Sequence, residues 1–421
     1  MTLPVALFVA ALSQLEEGAL IKMDTIQTTL IDVETNTRIA NWSLAAQEAT
    51  PRSKHRWRVE KDVLHGGKQE GVDRIRVDNG VLSFTIIPTR GMNLWEGKAG
   101  DVRLGWDSPV KEIVHPGLIN LTERGGLGWL EGFGEWMNRC GLASNGAAGE
   151  DRVPSNTGAI VPVQLTLHGK VSYLPARKVE VIVKKADGEL SEIIVRGVVD
   201  EAMMFGTSLR LVTEISTFAG STNVTVHDEI QNLSATPQEF QILYHANFGA
   251  PLLEGGSQVV APALRVTPRD PRAAEGDMSK WSHYGPPQAG YNEQVYFLKL
   301  AADARGRTEV LLRNSAGDRG ASMAFSTREL PCFTVWKCTQ AVENGYVTGL
   351  EPATNFPNNR SFERKHGRVP VLKPGEVYTA SFTMTAHLDA KAVGEALKRV
   401  EALLGGAKPV VDPKPVEGLC P

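Results

Sequence analysis

The sequence predicts an all-β protein, a single large antiparallel β-sandwich followed by a short C-terminal helix. Three observations lead there. From about residue 55 to 388, strand-like runs recur at short, regular spacing, punctuated by glycine, proline and asparagine, with little helical periodicity. The pattern Arg74-Ile75-Arg76-Val77, Asp78-Asn79-Gly80, Val81 to Ile86 is a hairpin signal, because an Asn-Gly pair tolerates the positive φ that tight hairpin turns need. No glycine-rich loop follows a strand and opens a helix, which removes the context that a nucleotide-binding α/β fold requires.

The clearest strand is Tyr378 to His387. Tyr378, Ala380, Phe382, Met384 and Ala386 share one face, and Thr379, Ser381, Thr383, Thr385 and His387 the other. Val179-Val181-Val183 and Val224-Val226 give shorter versions of the same alternation. Asp389 then reads as an N-cap, and Val393, Leu397, Val400 and Leu404 recur at helical spacing until Gly405-Gly406 ends the helix. The expected organisation is an N-terminal extension over 1–55, one β-sandwich domain over 56–405, and a loose proline-rich tail over 406–421. Residues 24–55 read either as a strand pair or as a wrapping arm.

Composition narrows the function. The 421 residues carry a net charge of −3 and no basic block, which argues against nucleic acid as the main partner. No run reaches the apolar length of a membrane span. Cys140, Cys332, Cys338 and Cys420 lack zinc-ligand spacing and read as buried free thiols. The apolar run Leu3 to Leu12, with Ala11-Leu12-Ser13 behind it, leaves an atypical secretion signal open. It lacks a preceding Lys or Arg and is followed by Glu16-Glu17, so a cytoplasmic protein is expected, with Met23 an alternative start.

Three separated segments hold ionisable groups in apolar, strand-like settings: Leu167-His168-Gly169, Tyr244-His245-Ala246-Asn247-Phe248 and Gly349-Leu350-Glu351-Pro352. Two imidazoles and a sheltered carboxylate suit proton transfer at neutral pH. Alternation puts Ile242, Tyr244, Ala246 and Phe248 on one apolar face, so Gln241, Leu243, His245 and Asn247 turn together to another environment. Pro352 pins the chain just after Glu351, in a rigid, nearly uncharged segment where burial would raise the carboxyl pKa. Taken singly, each of these residues more often serves structure, as a carbonyl-bonded histidine or a solvated glutamate.

Two segments read as pocket walls: Pro88 to Trp95, which carries Arg90, and the tryptophan- and glycine-rich stretch from Gly126 through Trp136 to Arg139-Cys140-Gly141. Long ordered loops of this kind usually carry function. Tryptophan faces beside Arg, Asn and Glu are what a sugar needs, apolar ring faces stacking while hydroxyls meet polar groups. Trp106 and Trp129 serve equally well as core residues. Trp336 and Lys337 form a further pair of which one would face the cleft.

These segments together resemble the aldose 1-epimerase-like proteins of unknown function within the galactose mutarotase superfamily. The resemblance runs from about Trp57 to Leu388. It rests on Asn79-Gly80, Pro88-Thr89-Arg90-Gly91-Met92, Gly105-Trp106-Asp107-Ser108-Pro109, His115-Pro116, Arg139-Cys140-Gly141-Leu142, His168-Gly169, Tyr244 to Gly249 and Gly349 to Pro352. It implies a galactose mutarotase-like supersandwich with the sugar held across one sheet. It further implies that Glu351 takes the proton from the anomeric hydroxyl, His245 protonates the ring oxygen and His168 orients the sugar. Arg90, Asn247, Trp136, Arg139 and Trp336 are the expected substrate contacts. No cofactor and no metal are expected. The stretch Pro162 to Leu167 and the Ala246-Asn247-Phe248 sequence depart from the pattern of many galactose mutarotases, so the sugar stays open.

The expected function is therefore a carbohydrate-active isomerase that interconverts anomers or epimers of an aldose, with Glu351 and His245 about one sugar ring apart. Two alternatives stand beside it: a metal-assisted sugar isomerase or lyase using the same two histidines and glutamate, and a non-catalytic carbohydrate-binding protein. The sugar, its phosphorylation and the oligomeric state are not fixed by these residues.

Overall fold

Alternating apolar residues on long strands leave each sheet with one face to bury, and here two sheets bury those faces against each other. The computed structural model describes residues 23–187 and 189–421. The first sheet has ten strands, with Val377–His387 between Gly320–Ser326 and Asn223–Asn232 near its middle, and Met23–Asp32 and Thr37–Arg38 at one edge. The second has twelve strands in line and Val102–Leu104 attached to Asn93–Ala99. Its centre runs Gln294–Leu300, Cys332–Thr339, Tyr346–Ala353, Gln241–Phe248, Met137–Leu142. The pairing is antiparallel in both sheets, with Val410–Val411 running parallel to Ala263–Pro268.

One continuous core fills the space between the sheets. Val181, Val195, Leu211, Val226 and Phe382 enter it from the first sheet; Ile75, Phe84, Met137, Ile242, Tyr244 and Leu350 enter from the second. Tyr244 packs on Phe382 with ring centroids 4.6 Å apart, and Phe325 stacks on Phe333 across the same gap at 5.7 Å. Burial of each such side chain contributes roughly 1.5–3 kcal/mol. The alternation read from Tyr378 to His387 holds, with Ala380, Phe382, Met384 and Ala386 buried.

The Asn79-Gly80 hairpin forms, but not around a two-residue turn. Asp78 pairs with Ser83, and only Gly80 takes positive φ, at 96°. Asn79 is fully buried: its Oδ1 accepts from the amides of Val81 and Leu82, while its Nδ2 donates to Thr217 Oγ1 at 2.7 Å and to the Phe218 carbonyl at 2.9 Å. The turn is thus locked to the opposite sheet by its own asparagine.

The C-terminal helix spans Ala390–Leu404, with the Asp389 side chain accepting from the Ala392 amide and Gly405 closing it in the left-handed region. Val393, Ala396 and Val400 bury against Leu311. The tail after it is not loose. Val410–Val411 joins the second sheet, Asp412 binds Arg265 at 2.7 and 2.9 Å, and Cys420 packs with Val295, Phe297 and Phe356. The prolines that stop helix and strand do not prevent these few apolar and charged side chains from docking.

The described part of the N-terminal segment also belongs to the sandwich. Met23–Asp32 pairs with Lys178–Ala186 in one sheet, and Trp42–Ala45 pairs with Arg58–Val63 in the other. The apolar run Leu3 to Leu12 lies outside the described residues. Among the described residues, no helix is long and apolar enough to cross a membrane, and all four cysteines are free.

Candidate active site

The strand Gln241–Phe248 lies between Met137–Leu142 and Tyr346–Ala353. Its Ile242, Tyr244, Ala246 and Phe248 join the inter-sheet core, as alternation requires. His245 and Asn247 consequently face away from that core. On the neighbouring strand, Glu351 lies on the same outer face, cross-strand from Thr334. The result is that His245 Nε2 comes to 3.3 Å from Glu351 Oε1. The two groups are neighbours rather than one ring apart. The geometry suits two oxygens carried on one carbon better than two ends of a ring.

Gly349 makes this approach possible. A Cβ there would lie 2.6 Å from Glu351 Oε1, closer than real Cβ contacts come, and a tight 3.0 Å from His245 Cε1. Any larger residue would push the acid and the imidazole apart.

Hydrogen bonding fixes the histidine tautomers. Asn247 Nδ2 donates to the backbone carbonyls of Glu135 and His245, so its Oδ1 is the acceptor facing His245 Nδ1 at 2.7 Å. His245 therefore carries its proton on Nδ1 and presents a bare Nε2 to Glu351. His168 does the same: Nδ1 donates to the Asn145 carbonyl at 2.9 Å. That residue sits in the left-handed region at φ 56°, followed by Gly169 at 71°, a backbone reversal that turns the ring toward His245. The two imidazole centroids are 5.5 Å apart. Asn145 in turn exchanges amide hydrogen bonds with Asn355, which ties the His168 loop to the segment leaving Glu351.

Burial sets the electrostatics. Glu351 is 2 % exposed and His245 5 %. Desolvation holds the Glu351 carboxyl well above its usual range; the Glu293 charge adds to this and Arg269 opposes it. Burial also pulls His245 down to about 3, helped by the neighbouring His168 and resisted by the Asn247 hydrogen bond. His168 falls to about 4 through burial, against the Asn145 bond and the Glu293 charge. Burial thus favours the uncharged forms of the carboxyl and of both imidazoles. Glu351 Oε1, Thr334 Oγ1 and the Trp129 indole nitrogen are buried without a hydrogen-bond partner, so polar atoms at this site are left for a ligand to satisfy.

Aromatic rings wall the pair. Trp129 packs on His168 at 4.8 Å, Phe133 on His245 at 5.3 Å, and Trp336 on His245 at 5.3 Å from another side. The indole nitrogen of Trp336 donates to Glu293 Oε2 at 2.7 Å, and Arg269 Nη2 holds the other oxygen at 2.9 Å. His168 and Trp336 are partly exposed and Glu293 is exposed, so this is the side from which the site meets solvent. Phe133 lies in the stretch legible as a pocket wall, whereas Asn145 and Glu293 were not legible as site residues. Glu293 lies among polar neighbours in irregular chain just before the Gln294–Leu300 strand, with no periodicity to set it apart.

Four expected substrate contacts have other roles. Arg90 is fully buried and all its arms are occupied: Nε by Glu135 Oε1 at 2.7 Å, Nη1 by the Val114 carbonyl and Nη2 by that of Gly132. Its guanidinium also lies 4.5 Å from the Tyr173 ring. It builds the loop below the site and, being fully buried, presents no donor to a sugar. Arg139 is cross-strand from Tyr244, so it points inward, where it clamps Asp228 at 2.6 and 3.0 Å and bonds Thr213 and the Met92 carbonyl. Trp136 is fully buried in the inter-sheet core. Asn247 spends its amide on His245 and backbone carbonyls, which makes it a positioning residue. Arg360 and Arg364, which by residue type could pair with a sugar phosphate, both bind Asp151. Among the described residues, no three His, Cys, Asp or Glu side chains converge closely enough to hold a metal ion.

Known proteins complete the picture. Residues 69–386 match the family described as domain of unknown function DUF4432. A candidate aldose 1-epimerase from Klebsiella pneumoniae is similar over 93 % of this chain and 99 % of its own, at 37 % identity and a TM-score of 0.86. A galactose mutarotase-like protein from Clostridium acetobutylicum shares the fold, at 16 % identity and a TM-score of 0.54 over 78 % of this chain and 98 % of its own. No functionally curated protein matches the sequence. A two-sheet sandwich of this topology, matched by a family model over well over half its length, makes the chain a member of the DUF4432 family, with the galactose mutarotase-like fold.

Proposed function

We propose that the protein interconverts the anomers of an aldose by general acid–base catalysis at Glu351 and His245. The observation that carries this reading is the 3.3 Å approach of His245 Nε2 to Glu351 Oε1 on a face turned away from the core, with no other partner for that oxygen. Support from kinship is coarser: the Klebsiella protein is similar along nearly its whole length and bears an aldose 1-epimerase description.

The chemistry needs one acid and one base at a single carbon, because the anomeric hydroxyl and the ring oxygen are both bonded to C1. Moving the carboxyl proton of Glu351 to His245 Nε2 gives a carboxylate beside an imidazolium. Glu351 then takes the proton of the anomeric hydroxyl while His245 delivers its own to the ring oxygen. The C1–ring oxygen bond breaks and C1 becomes an aldehyde carbon. After rotation about C1–C2, the freed hydroxyl attacks the other face of C1. His245 takes the proton back, Glu351 returns one to the new anomeric hydroxyl, and the pair ends with the proton it began with. His168, with its bare Nε2 turned to the site, accepts a hydrogen bond from a sugar hydroxyl. Trp336, clamped by Glu293, supplies a ring for the sugar face. Acid–base groups of this kind typically contribute about 10²–10⁴-fold each.

The test is anomer exchange followed by NMR across free and phosphorylated aldoses, with Glu351→Gln and His245→Gln as controls. Catalysis by the wild type and its loss in both variants is the expected result. A wild type inactive on every sugar of the panel would sink the proposal.

A further inference from the structure

Strand alternation separates Trp336 from its neighbour. Trp336 turns to the acid–base pair, and Lys337 turns to the opposite face of the same strand. There Lys337 is 5 % exposed, and its ammonium donates to the backbone carbonyls of Trp281 at 2.9 Å and His283 at 2.6 Å. The rings of Tyr284 and Tyr296 lie 4.8 and 5.8 Å from it. Carbonyl dipoles and ring faces stabilise a cation in part, but none carries a formal negative charge. Among the described residues no carboxylate pairs with Lys337, and burial alone, without any opposing acid, pulls its pKa down to about 8. At neutral pH the ammonium stays charged. A buried charge without a counter-charge is costly, and proteins normally compensate it.

The same side chain lines a cavity of about 400 Å³, together with His283, Pro286, Gln288, Tyr291 and Thr339. That volume falls within the roughly 300–1,000 Å³ of small-molecule sites. Pro286 and Tyr291 give it apolar wall, and exposed Gln288 stands at its rim. We propose that this cavity is a second ligand site, for a small organic anion whose carboxylate or phosphate supplies the counter-charge to Lys337. The neutral walls admit a short hydroxylated body behind the anionic group. The proposal is independent of the chemistry at Glu351, which lies across the sheet.

Calorimetric titration of the full-length protein tests it, with glycerol 3-phosphate and glycerate as anions of one skeleton, inorganic phosphate as the bare ion and glycerol as the neutral control. Saturable binding of glycerol 3-phosphate or glycerate is expected, with glycerol at least roughly tenfold weaker. Which anion binds tells phosphate from carboxylate recognition. Lys337→Met should weaken that binding by roughly tenfold or more. Gln288→Trp, which fills the cavity mouth and leaves the ammonium in place, should do the same and decides the matter if Lys337→Met does not fold. Glu351→Gln should leave it unchanged. No anion binding by the wild type, equal binding by the Lys337 and Gln288 variants, or loss of binding in Glu351→Gln would each overturn the proposal.

Discussion

On the inward face of the central strands, Arg139 meets Asp228 through two oxygens, and Tyr244 and Thr213 complete the cluster. On the outward face of the same strands, Glu351 meets one bare imidazole nitrogen and leaves an oxygen without a hydrogen bond. Both carboxylates are buried. The first is a closed network: all five N–H groups of the Arg139 guanidinium have acceptors, and its charges are opposite and adjacent. The second is open, with no permanent cation beside it, and burial therefore raises the acid and lowers the base. A satisfied buried charge fixes geometry; an unsatisfied one remains available for a proton to move through it. The contrast arises on the same strands, one residue apart in register, because strand parity turns Tyr244 and Arg139 toward the facing sheet and His245 away from it.

The comparison can be broken at either face. The largest effect is expected outside: Glu351→Gln and His245→Gln should each lower anomer exchange by about 10²–10⁴-fold while leaving the circular dichroism of a β protein. Glu351→Gln should also be at least as stable as wild type at pH 7. The sign follows from the raised carboxyl: the unfolded chain loses this proton above its ordinary range, while the folded site keeps it, so the acid costs stability as pH rises. A clear loss of stability in Glu351→Gln would mean that the outward pair is a closed structural contact after all.

Arg139→Met should behave in the opposite way. It leaves Asp228 buried without its cation and should cost about 3–5 kcal/mol in denaturant unfolding. An Arg139→Met, Asp228→Leu double variant should recover much of that loss, since the charge is then gone as well as its partner. Gly349→Ala should affect the outward face alone. The added carbon displaces Glu351 and His245 from each other, and a misplacement of this size costs activity by about 10²-fold.

The last effect is a pH dependence of stability. His168 and His245 stay uncharged in the folded protein down to about 4 and about 3, whereas in the unfolded chain they take up protons near pH 6.5. Stability should therefore fall as pH drops below about 6.5, by up to about 1.4 kcal/mol per pH unit for each histidine. Unfolding of the wild type and of His245→Gln between pH 7 and 4.5 measures it, and the variant should show the shallower slope.

Much of this was legible because the period of a strand is local. The inward set Ile242, Tyr244, Ala246 and Phe248 can be read directly, and with it the outward direction of His245 and Asn247. The helix from Asp389 to Gly405 declares its cap, its stripe and its stop in the same way. The proline-rich tail reads as loose by itself because its docking depends on Val295, Phe297 and Phe356, far away in the chain.

The arginines mark the limit. Arg90 and Arg139 look like sugar ligands by residue type and by the company of tryptophan and glycine. Their true partners, Glu135 and Asp228, are 45 and 89 residues away. Side-chain parity along one strand was thus determined by the order of residues. Whether a polar group is spent or left free was decided only when distant strands came into register, because a hydrogen bond depends on contact across the fold and not on neighbours in the chain.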